Sequence, residues 1–169
     1  MSMTQAMFPG CEQQARRNDA PTGTISFFLP CIPTAQQRVR HMRTSNGIHI
    51  SYKSDEQAAN ERTLEVLMLK WVPDEPMDGT LQLAFQAIFP VPKSVTRRER
   101  AAMLRGTIGH TSKPDLDNLA KQLKDCMTRL RFWRDDSQVA RCIIGKEYGE
   151  RPGWVVAVSR IAEERRRRK

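Results

Sequence analysis

The sequence predicts an α+β fold, a small mixed β-sheet with helices packed on one face. Apolar residues occupy every second position from Leu81 to Phe89, which is the period of a strand with one buried face. From Leu116 to Leu130 the apolar residues recur at steps of three or four, which is the period of an amphipathic helix. Two β-prone runs, 139–147 and 154–161, follow that helix. These elements predict a single core without internal repeats.

The first half of the chain is expected to contribute a strand, a basic segment and a helix. Residues 24–29 are apolar and β-prone, and two prolines end the run, which predicts a strand at or near a sheet edge. Residues 36–53 are basic and interrupted by glycine, which is typical of an exposed loop or hairpin. Residues 55–71 carry apolar side chains at helical steps after the capping residue Ser54, so a helix packed on the core is expected there.

The second half contains the turns and helices between the strands. Residues 73–79 predict a turn before the strand that starts at Leu81. Residues 94–105 predict a short, strongly basic, capped helix, followed by a mobile connection over 106–111. Residues 148–153 are rich in turn-forming residues, so the last two β-runs are expected to pair as a hairpin.

Length and hydropathy limit the class of protein. A chain of 169 residues is long enough for one domain with an adequate core. Residues 1–23 are polar and have no sustained period, which predicts a flexible leader. No apolar run is long enough to cross a membrane, and the first residues lack the layout of a signal peptide. We therefore expect a cytoplasmic protein without a membrane partner.

The chain is strongly basic. Lys and Arg total 28 against 19 acidic residues, a formal net charge of +9. Such an excess favours a polyanion as partner, either DNA or RNA, over an acidic small molecule. Residues 162–169 form a basic tail, and its run Arg165–Lys169 contributes five of the positive charges. Phosphate binding and a solvated helix end, partly neutralised by Glu163 and Glu164, are both compatible with this tail.

The cysteines do not predict a zinc site or a disulfide framework. The chain has four cysteines and three histidines, and no two cysteines have the Cys-x-x-Cys spacing. Cys126 lies in the amphipathic helix and Cys142 in a β-prone run, so both are expected to be reduced, buried thiols. Reduced thiols agree with a cytosolic compartment.

Two acidic pairs are the candidates for chemistry. Asp115 and Asp117 stand at the start of the amphipathic helix, and Lys121 lies one turn after Asp117 on the same helix face. Asp135 and Asp136 follow the helix, after an aromatic pair. Carboxylates from two segments suit Mg²⁺ or Mn²⁺, which prefer oxygen ligands and bind well where a substrate phosphate completes the shell. Such a site can hydrolyse phosphodiesters, with Lys121 acting on the phosphate or as a proton relay.

A structural explanation of the same residues stays open at this point. An aspartate at a helix start is commonly a cap or a partner of the helix dipole. Two aspartates before a serine commonly form a turn. Taken singly, each pair is explained well in this way; taken together with the lysine and the basic chain, they favour a metal site.

The two acidic segments resemble a known family. Lys-Pro-Asp-Leu-Asp-Asn-Leu-x-Lys, ending at Lys121, followed by Phe-Trp-x-Asp-Asp-Ser-Gln-Val, resembles the signature of the RusA family of Holliday-junction resolvases. The resemblance implies that Asp115, Asp117 and Asp136 hold the metal and that Lys121 is catalytic. It also implies a RusA-like fold over about residues 24–161, a homodimer, and Mg²⁺-dependent incision of four-way DNA junctions in recombination and repair.

This sequence departs from the family's pattern in two places. Residues 92–110 look like an insertion relative to the smallest members. Pro114 stands where some members carry a basic side chain, so a charged phosphate contact from that position is excluded. The insertion includes the basic segment 94–105, for which a grip on a DNA arm and a solvated helix are equally good interpretations.

Further cations are candidates for DNA contact. The basic segment mixes positive charges with the ring of Tyr52, a combination typical of nucleic-acid surfaces. Its alternative explanation is an exposed hairpin whose charges keep a sheet edge soluble. With the resemblance, we expect DNA contacts at Arg38, Arg40, Arg43, Lys53 and Lys113.

Two other functions remain compatible with the sequence. One is a nuclease for other branched DNA, such as flaps or replication forks, because nothing in the motif specifies the number of arms. The other is a non-catalytic, basic DNA-binding module in which the aspartates are only caps.

Overall fold

The protein is described by a computed structural model that covers residues 23–34, 40–43, 49–52 and 55–162, with the backbone alone for 40–43 and 49–52. The expected leader apart from Gly23 and the expected tail apart from Ala162 lie outside these residues. No helix in the described part of the chain is both long and apolar enough to cross a membrane. The strands are β1 (Ile25–Leu29), β2 (Arg40–Arg43), β3 (His49–Tyr52), β4 (Leu81–Pro90), β5 (Val139–Gly149) and β6 (Gly153–Arg160). The helices are α1 (Asp55–Met68), α2 (Arg97–Leu104) and α3 (Leu116–Arg129), with short 3-10 helices at Leu69–Trp71 and Asp136–Gln138.

Four strands form a mixed sheet in the order β1, β6, β4, β5. Strand β4 pairs in parallel with β5 and antiparallel with β6, and β6 pairs antiparallel with β1. The α+β class, the mixed sheet and the edge position of β1 are confirmed. Strands β2 and β3 form a separate antiparallel pair.

The expected hairpin between the last two β-runs is wrong, because β4 lies between β5 and β6. The chain leaves β5 at Gly149, passes the end of β4 and returns along its other side as β6. Burial explains this order. From Leu83 to Ala87 every residue of β4 is buried, so both faces of β4 are covered, whereas residues 140–143 of β5 are exposed. A strand buried on both faces belongs inside a sheet, and a solvated one belongs at its edge.

The core lies between one face of the sheet and helices α1 and α3. The alternate β4 residues Leu81, Leu83 and Phe85 are fully buried, in one cluster with the α3 residues Leu119 and Leu123. Burying a side chain of this size stabilises the fold by about 1.5–3 kcal/mol. The predicted apolar faces of β4 and α3, and the packing of α1 and α3 on one side of the sheet, are therefore confirmed.

An ion-pair network joins α1 to α3 above this core. The guanidinium of Arg129 donates from Nε to Glu65 Oε1 at 2.6 Å and from Nη2 to Glu61 Oε2 at 3.1 Å. The Glu61 side chain is only 11% exposed, so water screens this pair less than it would screen an ordinary surface pair. The contact holds α3 in a fixed orientation on α1, and with it the start of α3.

Helix α2 begins later than expected. Its N-cap is Thr96, whose hydroxyl accepts from the Glu99 backbone N–H while the Glu99 carboxylate accepts from the Thr96 backbone N–H. The reciprocal pair is a capping box, so it outcompetes Ser94 as the start of the helix. The connection after α2 begins with two hydrogen bonds back to the helix. Thr107 and Ile108 both donate from their backbone N–H to the carbonyl of Ala102.

The cysteines differ in burial, and the expectation of a buried thiol at Cys142 is wrong. Cys126 is fully buried, whereas Cys142 is exposed on the edge strand β5. Burial raises the pKa of Cys126 to about 12, and the nearby Arg129 only partly offsets this.

Thiol alkylation should separate these two cysteines. We expect iodoacetamide at pH 8 to modify Cys142 in the native protein and to leave Cys126 unmodified, because a buried thiol with a raised pKa supplies almost no thiolate. Mass spectrometry of the peptides, with a urea-unfolded sample as the control in which both react, measures the difference. Equal labelling in the native protein would contradict the burial of Cys126.

Candidate active site

The start of α3 presents two unengaged carboxylates. Asp115 occupies the N-cap position with φ −75° and ψ 150°, but its side chain makes no capping hydrogen bond. Asp117 lies in the first turn, and both side chains are exposed. Within the described part of the chain neither carboxylate has a hydrogen-bond or ion-pair partner. Capping therefore does not explain Asp115, although the positive end of the helix dipole favours negative charge at both positions.

A lysine from the sheet fixes the backbone before these aspartates. Lys146 Nζ, on β5, donates to the carbonyls of Ser112 at 2.6 Å and Pro114 at 2.9 Å. Bonds from an ammonium group are stronger than neutral ones, so they hold the entry to α3 against the sheet. The sequence did not indicate this role, because the partners are main-chain atoms more than thirty residues away.

A stack of rings holds the same segment a few residues earlier. His110 stacks on Phe89 at the end of β4, with ring centroids 4.1 Å apart, and meets Tyr148 of β5 at 4.8 Å. Burial lowers the pKa of His110, and the charge of Lys146 lowers it further. The ring is therefore neutral near pH 7, as suits a histidine between two aromatic side chains.

The two carboxylates of the second acidic pair differ in role. One makes structural hydrogen bonds, and the other takes no part in them. Asp135 Oδ1 accepts from the Ser137 backbone N–H at 2.9 Å, in a capping box with Gln138 that starts a 3-10 turn. Hydrogen bonding from the Ser137 side chain, and next from its backbone N–H, lowers the pKa of Asp135, since these bonds stabilise its charged form. Asp136, the next residue, takes no part in this box and is exposed. The turn explanation thus applies to Asp135 and leaves Asp136 as the candidate ligand.

Two anchors fix this acidic turn to the rest of the fold. The side-chain amide of Gln138 donates to the carbonyls of Met77, at 3.0 Å, and Gly79, at 3.3 Å. Trp133 is fully buried, and its Nε1 donates to Thr128 Oγ1 at 2.7 Å near the end of α3. The aromatic pair before the aspartates therefore ties the turn to α3.

One lysine of α3 contacts this turn. Lys124 Nζ contacts Asp136 Oδ2 at 3.4 Å, whereas Lys121 is exposed and has no ion pair in the described part of the chain. The sequence predicted a site role for Lys121 but not the contact of Lys124 with Asp136. The spacing of three residues between the two lysines puts them on one helix face, which was the available signal.

The described residues do not contain a group of three His, Cys, Asp or Glu side chains that could hold a metal ion. The donor chemistry of Asp115 and Asp117 nevertheless fits a hard divalent cation, because both offer open carboxylate oxygens. Asp136 offers the same donor type but is engaged by Lys124. The structure thus brings Asp136 to the side of α3, and as described the three carboxylates do not form one cluster.

The expected DNA contacts are only partly described. Arg38 and Lys53 lie outside the described residues. Arg40 and Arg43 lie in β2, where they pair with Tyr52 and His49 of β3, and only the backbone is described there. Lys113 is exposed, two residues before Asp115.

Comparison with known proteins identifies the family. The family model for endodeoxyribonuclease RusA matches residues 29–159, which include β4, β5, both acidic segments and all of β6 except Arg160, but only the last residue of β1. The chain belongs to the RusA endodeoxyribonuclease family. A crossover junction endodeoxyribonuclease rusA of Lactococcus phage r1t is 30% identical over 115 residues, 68% of this chain and 80% of the phage protein. The Bacillus subtilis (strain 168) protein YqaN, described as uncharacterized, is 26% identical over 140 residues, 82% of this chain and 97% of YqaN.

Membership in the RusA endodeoxyribonuclease family indicates that this chain is a nuclease. Both acidic segments of the site fall within the matched region. They are the start of α3 and the turn at Asp135–Gln138.

Proposed function

We propose that this protein is a divalent-metal-dependent endonuclease that resolves four-way DNA junctions by paired, symmetric hydrolysis of phosphodiesters. The observation that carries the proposal is the pair of open carboxylates, Asp115 and Asp117, at the positive end of α3 in a chain of the RusA family. Carboxylates that have no partner among the described residues suit an external cation. The nuclease domain extends over residues 24–161 in this proposal, between a leader, 1–23, and a basic tail, 162–169.

In the proposed site Asp115, Asp117 and Asp136 hold Mg²⁺, and Mn²⁺ substitutes. The bound ion supplies an activated water and neutralises charge on the phosphate. Lys121 carries its ammonium one turn above Asp117, where it orients the scissile phosphate or relays a proton. Lys124 places a second ammonium 3.4 Å from the Asp136 carboxylate.

Junction resolution needs two incisions at symmetric positions, so we further propose a homodimer with two-fold symmetry. Each subunit would then supply one active site to a junction that itself has two-fold symmetry. Light scattering of the purified protein should give the mass of two chains, and a monomer at the concentrations that cleave junctions would contradict the proposal.

A panel of DNA substrates tests the proposed specificity. With Mg²⁺, a four-way junction should be cut at least about tenfold faster than a replication fork, a flap or a linear duplex, a difference of about 1.4 kcal/mol in the transition state. The two strands should be cut at symmetric positions to leave nicks that a ligase can seal. Faster cleavage of flaps or forks would show that the preferred substrate is another kind of branched DNA.

The role of Lys146 gives a separate prediction. Lys146→Met should slow junction cleavage about tenfold and leave the affinity for the junction nearly unchanged, because the backbone before Asp115 loses its anchor and small misplacements are costly in rate. Single-turnover cleavage and binding titrations measure the two effects. Arg141→Met is the matched control, since Arg141 lies on the same strand, is exposed, and donates to the side chain of Gln82 rather than to the entry of α3. Cleavage by Lys146→Met at the wild-type rate would show that the anchor is dispensable.

A further inference from the structure

Helix α2 and the residues that flank it carry a positive surface, formed by four exposed side chains. We propose that this α2 surface, Lys93, Arg97, Arg98 and Arg105, binds the phosphate backbone of one duplex arm of the branched DNA substrate. The inference rests on the proposed function and adds to it a binding surface outside the acidic site. It assigns a role to the segment 92–110, which looked like an insertion relative to the smallest family members.

The charges of this surface are not neutralised within the described part of the protein. Lys93, Arg97, Arg98 and Arg105 have no ion pair there. Glu99 is the only acidic residue of α2, and its carboxylate accepts from Thr96 N at 2.9 Å and Thr96 Oγ1 at 2.8 Å. These bonds, led by the one from the Thr96 backbone, lower the pKa of Glu99, so Glu99 serves the cap. The remaining arginine of α2, Arg100, is held by Glu150 at 3.4 Å and is left out of the surface.

The two arginines in the first turn of α2 do not stabilise this helix, so helix stability does not explain their presence. Arg97 and Arg98 stand in the first turn of α2, where the helix dipole disfavours cations by about 0.3–1 kcal/mol each. None of the α2 residues is fully buried, so the arginines do not support a packed core either. A phosphate at this turn would be attracted by both arginines and by the dipole, which removes the conflict.

The position of α2 suits an arm that leads to the acidic site. Helix α2 packs against β5, and Arg100 ties it to Glu150 just after β5 ends. Lys146 ties the entry of α3 to the same strand, and His110 lies against the ends of β4 and β5. Because β4 and β5 are parallel, their final residues share one end of the sheet, so α2 and the start of α3 belong to that end. DNA on α2 therefore lies toward the same end of the sheet as Asp115 and Asp117.

The surface has the chemistry of backbone contact. Contacts from arginine to phosphate fix the position of a duplex and carry no sequence information. They also release counterions, so each contributes about 0.9 to the slope of log affinity against log salt concentration. That slope distinguishes phosphate contact from a general loss of stability.

The test compares two charge-neutralising double variants of the full chain. Arg97→Gln/Arg98→Gln removes half of the α2 surface, and Arg62→Gln/Lys70→Gln removes two exposed cations from α1 and its following turn. Binding of a fluorescent four-way junction is measured without divalent metal, so that the DNA stays intact, between about 50 and 200 mM salt. The α2 variant should bind about tenfold more weakly and show a salt slope smaller by about 2, while the α1 variant keeps the wild-type slope.

Two further measurements distinguish a loss of charge from a loss of folding. Arg97→Lys/Arg98→Lys keeps both charges and should retain most of the affinity, and thermal unfolding should show that all variants are folded. A wild-type slope in the Arg97→Gln/Arg98→Gln variant, or an equal loss in the α1 variant, would overturn the role of α2 and leave junction cleavage standing. A wild-type chain that binds no branched DNA would overturn both this inference and the proposed function.

Discussion

Replacing Asp117 by asparagine is expected to reduce cleavage of a four-way junction by about 10³-fold in Mg²⁺, while junction binding stays intact or becomes tighter. The proposed site loses one of its three carboxylates, and an amide is a weaker ligand for a hard cation. Removing a negative charge near the DNA phosphates also removes repulsion, which explains the direction of the change in binding. The side chain is exposed and has no partner in the described part of the chain, so the fold should be unaffected.

Asp55→Asn is the matched control for this substitution. Asp55 is also an exposed aspartate in the first turn of a helix, α1, and it lies outside both acidic segments. The control should cleave at the wild-type rate, so that a loss at Asp117 cannot be ascribed to helix electrostatics alone. Cleavage at the same rate by both variants would favour the interpretation of the aspartates as caps.

Trp133→Ala should destabilise the protein by about 3–5 kcal/mol and abolish cleavage at temperatures where the wild type is active. The indole is fully buried, lies beside Phe132 and donates to Thr128 at 2.7 Å. Its loss leaves a large cavity and detaches the turn that carries Asp136 from α3. Urea unfolding followed by circular dichroism measures the change in the free energy of unfolding.

A second substitution separates packing from hydrogen bonding at this position. Thr128→Val removes the acceptor of the indole N–H and keeps the volume, so it should cost about 1–3 kcal/mol, less than the loss of the whole ring. If Trp133→Ala cost less than about 1 kcal/mol, the indole would not anchor the acidic turn as described.

Periodicity predicted most of the fold because the apolar faces of β4 and α3 are local patterns. Alternation from Leu81 to Phe89 placed one face of β4 in the core, and that face is buried. The order of the strands is not local, and the short link between β5 and β6 suggested pairing. The even-numbered β4 residues Ala84 and Gln86 are also buried, as suits a central strand, but the polar Gln86 gave no sign of a second covered face in the sequence.

The part of the candidate site that depends on spacing within one segment could be predicted from the sequence. Asp115 and Asp117 stand together because they flank a helix start, and the T-x-x-E pattern at Thr96 and Glu99 would have given the start of α2 correctly. The contact of Lys124 with Asp136 and the grip of Lys146 on the entry to α3 depend on tertiary packing. No sequence pattern reports such contacts, since a lysine that binds a distant carbonyl looks like any surface lysine.

The central claim is that a divalent cation held by aspartates of this chain cuts branched DNA. The most direct measurement is a time course of cleavage of an end-labelled four-way junction by the full chain, first in EDTA and then after addition of excess Mg²⁺. Our account predicts intact DNA in EDTA and symmetric incisions once Mg²⁺ is added. Cleavage that proceeds equally in EDTA, or a junction that is bound and never cut in Mg²⁺ or Mn²⁺, would contradict it.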